Sequence, residues 1–325
     1  MTDPKVPVAV ISPSFCHSAK LKDELSREFP NSIFNAKNRS LSEPEIIELC
    51  KQAQGIIIGV EPVGEAMLSA LPELKIIAKY GVGLDNLDQE AMDRHGVALG
   101  WADGINKRSV AEMTLCFMLG LCRNIFAGGF TLKQNIWRKN GGTQLTGKTI
   151  GIVGCGHIGT EVVHLLTPFN CHILMNDILE KSDFCKAMGI IQVSKDELLD
   201  QSDIVSLHVP QTELTQKMVD ENFLRKMKKT AFLINTSRGL IVDQLALKAA
   251  LQKNTIAGAA LDVFEEEPPT DSEFLALPNL MVTPHTGGNA IEAVEAMGRK
   301  AISHLVHFFQ SKGNLKAATT STSQR

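Results

Sequence analysis

Three polar residues, Arg238, Glu267 and His285, each follow an apolar run that reads as a buried strand. The runs are residues 231–235, 255–261 and 280–283. After them come Thr236-Ser237-Arg238-Gly239, Asp262-Val263-Phe264-Glu265-Glu266-Glu267-Pro268 and Pro284-His285-Thr286-Gly287-Gly288. In an open parallel sheet, ligands bind outside the carboxyl ends of the strands. A cation, a carboxylate and an imidazole are therefore expected at one sheet edge. Hydride transfer to a 2-keto acid needs that set. The keto oxygen gains negative charge as hydride arrives, and a general acid must protonate it; an imidazole suits that task near neutral pH. A carboxylate bonded to the ring fixes its tautomer and raises its pKa. A guanidinium offers a planar fork that holds a substrate carboxylate and polarises the carbonyl. Singly, each residue has a plainer reading: a solvated arginine, a turn histidine, one acid in a solvated run of three. The joint placement carries the argument.

A phosphate loop precedes this set. Residues 149–153 read as a buried parallel strand, and Gly154, Gly156 and Gly159 follow in G-x-G-x-x-G spacing. Gly154 would permit a tight turn, Gly156 a close backbone approach to a pyrophosphate, and Gly159 close helix–strand packing. A helix over residues 160–166 would point free N–H groups at the phosphates. A second strand, residues 172–176, ends in Asp177, at about the 20-residue distance where a ribose 2′-OH acceptor stands. Asp177 would repel a 2′-phosphate, and Ile178, Leu179 and Glu180 offer no arginine to attract one. The cofactor is therefore expected to be NAD rather than NADP. Asp177 as a mere strand-end turn residue is the plain alternative.

With these residues in place, the chain resembles the D-isomer-specific 2-hydroxyacid dehydrogenases, including the phosphoglycerate dehydrogenases. The likeness runs from about Ile46 to Phe309. It is carried by Gly81-Val82-Gly83-Leu84-Asp85-Asn86, Ser109-Val110-Ala111-Glu112, Gly154-Cys155-Gly156-His157-Ile158-Gly159, His208-Val209-Pro210, Asn235-Thr236-Ser237-Arg238-Gly239, Ala260-Leu261-Asp262-Val263-Phe264 and Pro284-His285-Thr286-Gly287-Gly288. The resemblance implies that Arg238 binds and polarises substrate, that His285 is the acid/base and that Glu267 pairs with it. It implies that Asp262 and residues 285–288, with Gly287 and Gly288, flank the nicotinamide. It also implies cofactor contacts from His157, Ile158, Val209, Pro210, Thr236 and Ser237, and substrate contacts from Lys79, Val82 and Gly83. Glu267 separates the chain from similar formate dehydrogenases, which carry Gln there.

Some positions depart from the family pattern. His157 stands where many relatives carry Arg beside the pyrophosphate. Val82 stands where phosphite-oxidising relatives carry Lys. Segment 59–63 lacks the Arg that vertebrate-type phosphoglycerate dehydrogenases use for the substrate phosphate, and Glu61 there would repel a phosphate if it faced the site. Lys79 could supply a cation instead, or be a solvated strand end. Phosphoglycerate oxidation is one expected reaction, and reduction of glyoxylate or hydroxypyruvate is the alternative. The missing Arg tilts the reading slightly away from a phosphorylated substrate. A third reading, from another class, is an NAD-sensing corepressor of this fold. Such proteins keep the Arg, Glu and His, but the chain shows no extra interaction segment.

At 325 residues, roughly two domains are expected. Hydrophobic content is 44% and net charge −3, with no basic patch to suggest nucleic acid. The start is polar, and no apolar run approaches the ~18 residues of a membrane span. The seven cysteines are scattered, with no C-x-x-C, which reads as a reduced, cytoplasmic protein without a metal site. Cys155 reads as a small residue in the phosphate loop.

Strand–helix alternation precedes the loop: strands at 6–11, 55–59 and 75–79, helices at 43–53 and 66–71. The expected architecture is α/β, with two doubly wound domains. A Rossmann NAD-binding domain, 104–288, is inserted into a smaller flavodoxin-like substrate domain, 1–103 and 289–325. A C-terminal helix near 291–310 completes the latter. By the same likeness, the active site would lie in the cleft between them. Residues 110–122 are apolar nearly all round, so such a helix must be buried on most faces. The family buries this region between subunits, which predicts a homodimer; an intradomain core helix is the alternative. The tail 316–325 reads as disordered, and the regulatory domain of longer phosphoglycerate dehydrogenases is not expected.

Overall fold

The computed structural model of the chain describes residues 6–37 and 39–310. The Ala/Thr/Ser-rich tail lies outside the described residues. The chain divides into two compact units, Met1–Asn106 with Ile291–Arg325, and Lys107–Ala290.

The first unit holds five parallel strands: β1 (Val8–Val10), β2 (Ile33–Phe34), β3 (Gly55–Ile58), β4 (Ile76–Lys79) and β5 (Ala98–Gly100). Their order is β2-β1-β3-β4-β5. β1, β3 and β4 are buried along their whole length. Successive side chains of a strand point to opposite faces, so each strand feeds two cores. Ala9, Ile56, Ile58 and Ile77 enter one; Val8, Val10, Ile57 and Ile76 enter the other. The helix Glu43–Cys50 packs on the first face, started by a capping box between Ser42 and Glu45. The helices Ala19–Glu28 and Ile291–Gln310 cover the second.

The second unit holds seven parallel strands: β6 (Thr149–Val153), β7 (His172–Asn176), β8 (Ile191–Gln192), β9 (Ile204–Leu207), β10 (Phe232–Asn235), β11 (Gly258–Leu261) and β12 (Leu280–Val282). The order β12-β11-β10-β9-β6-β7-β8 reverses direction between β6 and β9. That is the switch point where a doubly wound sheet opens a crevice for a nucleotide. The fold is the expected α/β arrangement.

Local differences from the sequence reading have physical causes. The strand expected at 255–261 begins only at Gly258. Residues before it still close the preceding helix: Asn254 is left-handed at φ 52°, and the Thr255 N–H donates to Ala250 O. The helix expected from 160 begins at His157, because Gly156 is its N-cap. The helix over 110–122 runs Lys107–Cys122 and buries one broad face, including Val110, Thr114, Phe117 and Met118, while Glu112 and Cys116 are exposed. It packs against the helix His157–Leu166 and strands β10 and β11 of its own unit. A left-handed Asn124 then breaks the chain into the helix Ile125–Lys133, none of whose residues is buried. No single described helix is long and apolar enough to cross a membrane; these two pass that test only as a pair bent by 63°. All seven cysteines are free thiols.

Candidate active site

Asn235 ends β10 fully buried, and its side chain builds the turn that carries Arg238. Its Oδ1 accepts from the Ser237 N–H at 3.0 Å and the Ser237 hydroxyl at 2.7 Å, while its Nδ2 donates to the Arg238 carbonyl at 2.8 Å. Arg238 itself donates from Nη1 to Ser237 O. At Gly239 a Cβ would lie 1.7 Å from Phe264 O. Only glycine allows this approach, which presses the loop after β10 against the loop after β11.

The loop after β11 curls Glu267 back on itself. One carboxylate oxygen accepts the Phe264 N–H at 3.0 Å, and the other meets His285 Nδ1 at 2.7 Å. The two side chains remain 44% (His285) and 38% (Glu267) exposed. Burial pushes the Glu267 carboxyl up, but the bonds from His285 and Phe264 and the Arg238 charge hold it below its usual value. The same bond to Glu267 raises His285 above its ordinary value, against burial and the Arg238 charge. Arg238 is thus close enough to act on both partners, and the structure brings all three residues together after β10, β11 and β12.

His285 adopts φ 53°, a left-handed conformation that is strained for a residue with a side chain. Asp262, only 2% exposed, holds it there. The Asp262 carboxylate accepts the Thr283 hydroxyl, the Thr286 N–H at 2.8 Å and the Gly287 N–H at 2.7 Å. The Gly287 carbonyl in turn accepts from the Ser109 hydroxyl. The resemblance implies that Asp262 flanks a nicotinamide; in the structure its carboxylate is turned inward, onto the histidine loop.

The crevice side fits a dinucleotide. Gly154 turns at φ 90°, and a Cβ there would lie 2.7 Å from His208 O. Gly156 caps the ten-residue helix His157–Leu166 without a side-chain bond; its first turn holds exposed His157, half-buried Ile158 and buried Gly159. The N–H groups of a helix start and the helix dipole together suit an anion. Asp177 stands at the end of β7, with its carboxylate accepting the Cys155 N–H at 2.6 Å and the Leu179 N–H at 2.9 Å. It therefore braces the phosphate loop and forms a turn, and each oxygen keeps a lone pair for a ribose hydroxyl. Thr236 is 6% exposed and bonded at 2.9 Å to Thr114 of the long helix; Ser237 is 8% exposed. Val209 is half-buried, and Pro210 is exposed. Gly288 is half-buried beside Gly287.

In the other unit, Lys79 is 6% exposed at the end of β4, not a solvated strand end. It donates to Gly59 O and, at 2.7 Å, to Asn86 Oδ1. Glu61 is buried and accepts the Gly59 N–H at 2.8 Å. The Val82 carbonyl accepts from Trp101 Nε1 at 2.9 Å, and Gly83 lies in the same half-buried turn. Sequence reasoning gave no role to the supporting residues Asn235, Thr283 and Asn86. A polar residue closing an apolar strand, as at Asn235, is the signal that could have found the first.

The family model for the D-isomer specific 2-hydroxyacid dehydrogenase, NAD binding domain, matches residues 115–287. A glyoxylate reductase of Korarchaeum cryptofilum is 36% identical over 275 residues, which cover 82% of this chain and 83% of that protein. A D-3-phosphoglycerate dehydrogenase of Methanocaldococcus jannaschii is 36% identical over 262 residues, 79% of this chain and 50% of that protein. The crystal structure of a glyoxylate reductase from Paecilomyes thermophila aligns with a TM-score of 0.83 at 26% identity, over 95% of this chain and 97% of that one. On this evidence the chain belongs to the D-isomer-specific 2-hydroxyacid dehydrogenases, NAD-dependent oxidoreductases acting on the CH–OH group of their donors.

Proposed function

We propose that the protein interconverts a short 2-keto acid and its D-2-hydroxy acid, with His285 as acid/base, Glu267 as its partner and Arg238 as the substrate-binding cation. The His285–Glu267 contact of 2.7 Å carries this reading. Because Nδ1 is held by Glu267, Nε2 is the nitrogen left to face substrate. Bound NADH would supply hydride to C2 of the keto acid. His285 Nε2–H then gives its proton to the C2 oxygen, and takes it back in the reverse direction. Arg238 grips the carboxylate and polarises the carbonyl. Positioned proton transfer of this kind contributes roughly 10²–10⁴-fold. Lys79, Val82 and Gly83 complete the proposed substrate contacts.

An unphosphorylated acid, such as glyoxylate or hydroxypyruvate, is favoured over a phosphorylated one. Segment 59–63 carries no Arg, and the Lys79 ammonium is bonded to Gly59 and Asn86. Glu61 does not set this preference: it is buried, with Oε2 accepting the Gly59 N–H. The proposed assembly is a homodimer through the uncovered apolar helix Ile125–Lys133, and the proposed location is the cytoplasm, consistent with seven free thiols.

The test is NADH oxidation by purified protein against glyoxylate, hydroxypyruvate, phosphohydroxypyruvate and longer 2-keto acids. His285→Gln should abolish turnover and leave NADH binding largely intact. Retained activity would remove the acid role. A strong preference for the phosphorylated acid would overturn the substrate reading. Tight NADH binding with no turnover on any acid would move the weight to a sensor such as the corepressors.

A further inference from the structure

The loop after β4 carries Val82 and Gly83, the backbone proposed to meet substrate. The Tyr80 N–H still joins the sheet, donating to Ile58 O at 2.8 Å, and the chain turns away at Gly81, φ 142°. The far end of the loop is fastened at several points. Asn86 Oδ1 accepts from Lys79, its Nδ2 donates to Glu61 O, and its carbonyl accepts the Val63 N–H at 2.8 Å. The Leu87 N–H donates back to Leu84 O at 3.0 Å. The near end is held differently. Among the described residues, the backbone of residues 81–83 makes one hydrogen bond, received by Val82 O from Trp101 Nε1 at 2.9 Å.

Trp101 is the first residue after β5, and its own place is fixed. Gly100 before it lies against the C-terminal helix, where a Cβ would come within 2.6 Å of His304 Cβ. The half-buried indole thus reaches the loop from a packed strand end. A peptide unit is planar, and in the trans form its C=O and N–H point in opposite directions. The Val82–Gly83 bond is trans. With Val82 O turned to the indole, the Gly83 N–H points the other way, from a residue with no side chain to block an approach. A peptide that accepts at its oxygen is also polarised towards donating at its nitrogen.

We infer that Trp101 is a positioning residue that aims the Gly83 N–H at a carboxylate oxygen of the keto acid. The inference rests on the proposed substrate contacts of Val82 and Gly83, and it deepens them by naming what orients that peptide. Trp101 acts through the loop carbonyl and belongs to neither the cofactor crevice nor the proton path. Removing its N–H should therefore weaken substrate binding and spare hydride transfer.

Trp101→Phe keeps an aromatic ring and deletes the donor. In steady-state kinetics of the full chain with NADH, KM for glyoxylate should rise about three- to tenfold, the size of one neutral hydrogen bond. The kcat should stay within about twofold and the NADH dissociation constant should not change, the pattern of lost substrate binding. An unchanged KM, a fall in kcat with KM unchanged, or an equal loss of NADH affinity would overturn the inference. A wild type that reduces none of the keto acids would instead remove the proposed function on which it rests. If Trp101→Phe fails to fold, the indole ¹H–¹⁵N signal of Trp101 decides. The chain holds two tryptophans, and Trp137→Phe identifies the other signal. Oxalate, an unreactive dicarboxylate, added to the NADH complex should move the Trp101 signal through the shared peptide. A signal left in place refutes the assignment.

Discussion

The His285 N–H donates to the Asp262 carbonyl at 2.8 Å, and the Asp262 side chain closes the same loop from inside. One buried residue therefore holds the loop at both its backbone and its carboxylate, through Thr283, Thr286 and Gly287. The strained backbone at His285 persists because this clamp over-determines it. The imidazole proposed to meet substrate is placed by a residue that does not touch the ring.

Asp262→Asn should expose that dependence. The amide oxygen would face the two donors at Oδ1, turning the NH₂ toward the Gly287 N–H. One buried donor would lose its acceptor, costing roughly 1–3 kcal/mol. A loosened histidine loop should also lower kcat by about 10²-fold, as expected for a displacement near 1 Å. Thermal denaturation and steady-state kinetics check both parts; wild-type melting temperature and wild-type kcat together would show the clamp to be dispensable.

Glu267→Gln should move the pH profile in a defined direction. With His285 as the proposed acid, reduction needs it protonated, so its rate should fall as pH rises through the histidine pKa. Glu267 raises that pKa, chiefly by its hydrogen bond. Without the carboxylate the alkaline limb of reduction should shift to lower pH. Oxidation needs neutral His285, so its acid limb should shift the same way. Profiles of kcat/KM in both directions read this out; limbs left in place would show that Glu267 does not set the histidine pKa.

The ends of β10, β11 and β12 were legible in the sequence because buried parallel strands are continuous apolar runs with polar residues after them. That placed Arg238, Glu267 and His285 at one sheet edge. The use of each polar side chain was not legible. Asp262 and Asp177 both bond backbone N–H groups of neighbouring turns, and turn geometry, such as the left-handed His285, does not follow from spacing. Residues 255–257 look like strand by composition but form the bend between helix and strand, where the Thr255 N–H still bonds back to Ala250 O and the Ala257 N–H bonds to Ala231 O. The apolar helix Lys107–Cys122 was legible as buried, but much of its buried face packs within its own unit, against His157–Leu166. The apolar face left uncovered is the next helix.

That helix supplies the last prediction. Phe126 and Phe130, one turn apart, are 52% and 59% exposed, and Ile125, Leu132 and Trp137 add to the patch. A nine-residue helix is shorter than the ~12–15 residues that are even marginally stable alone, and its own unit gives it no buried face. A second copy laid on this patch would cover it. Phe126→Lys with Phe130→Lys puts two charges into that contact, where burial without a partner is unfavourable. In sedimentation at micromolar concentration, wild type should run at twice the 35.4 kDa chain mass and the double variant at once that mass. NADH affinity should be retained, since neither residue is among those proposed to hold the cofactor. A wild type that sediments as one chain would remove the dimer, and a double variant that still pairs would move the contact to another face.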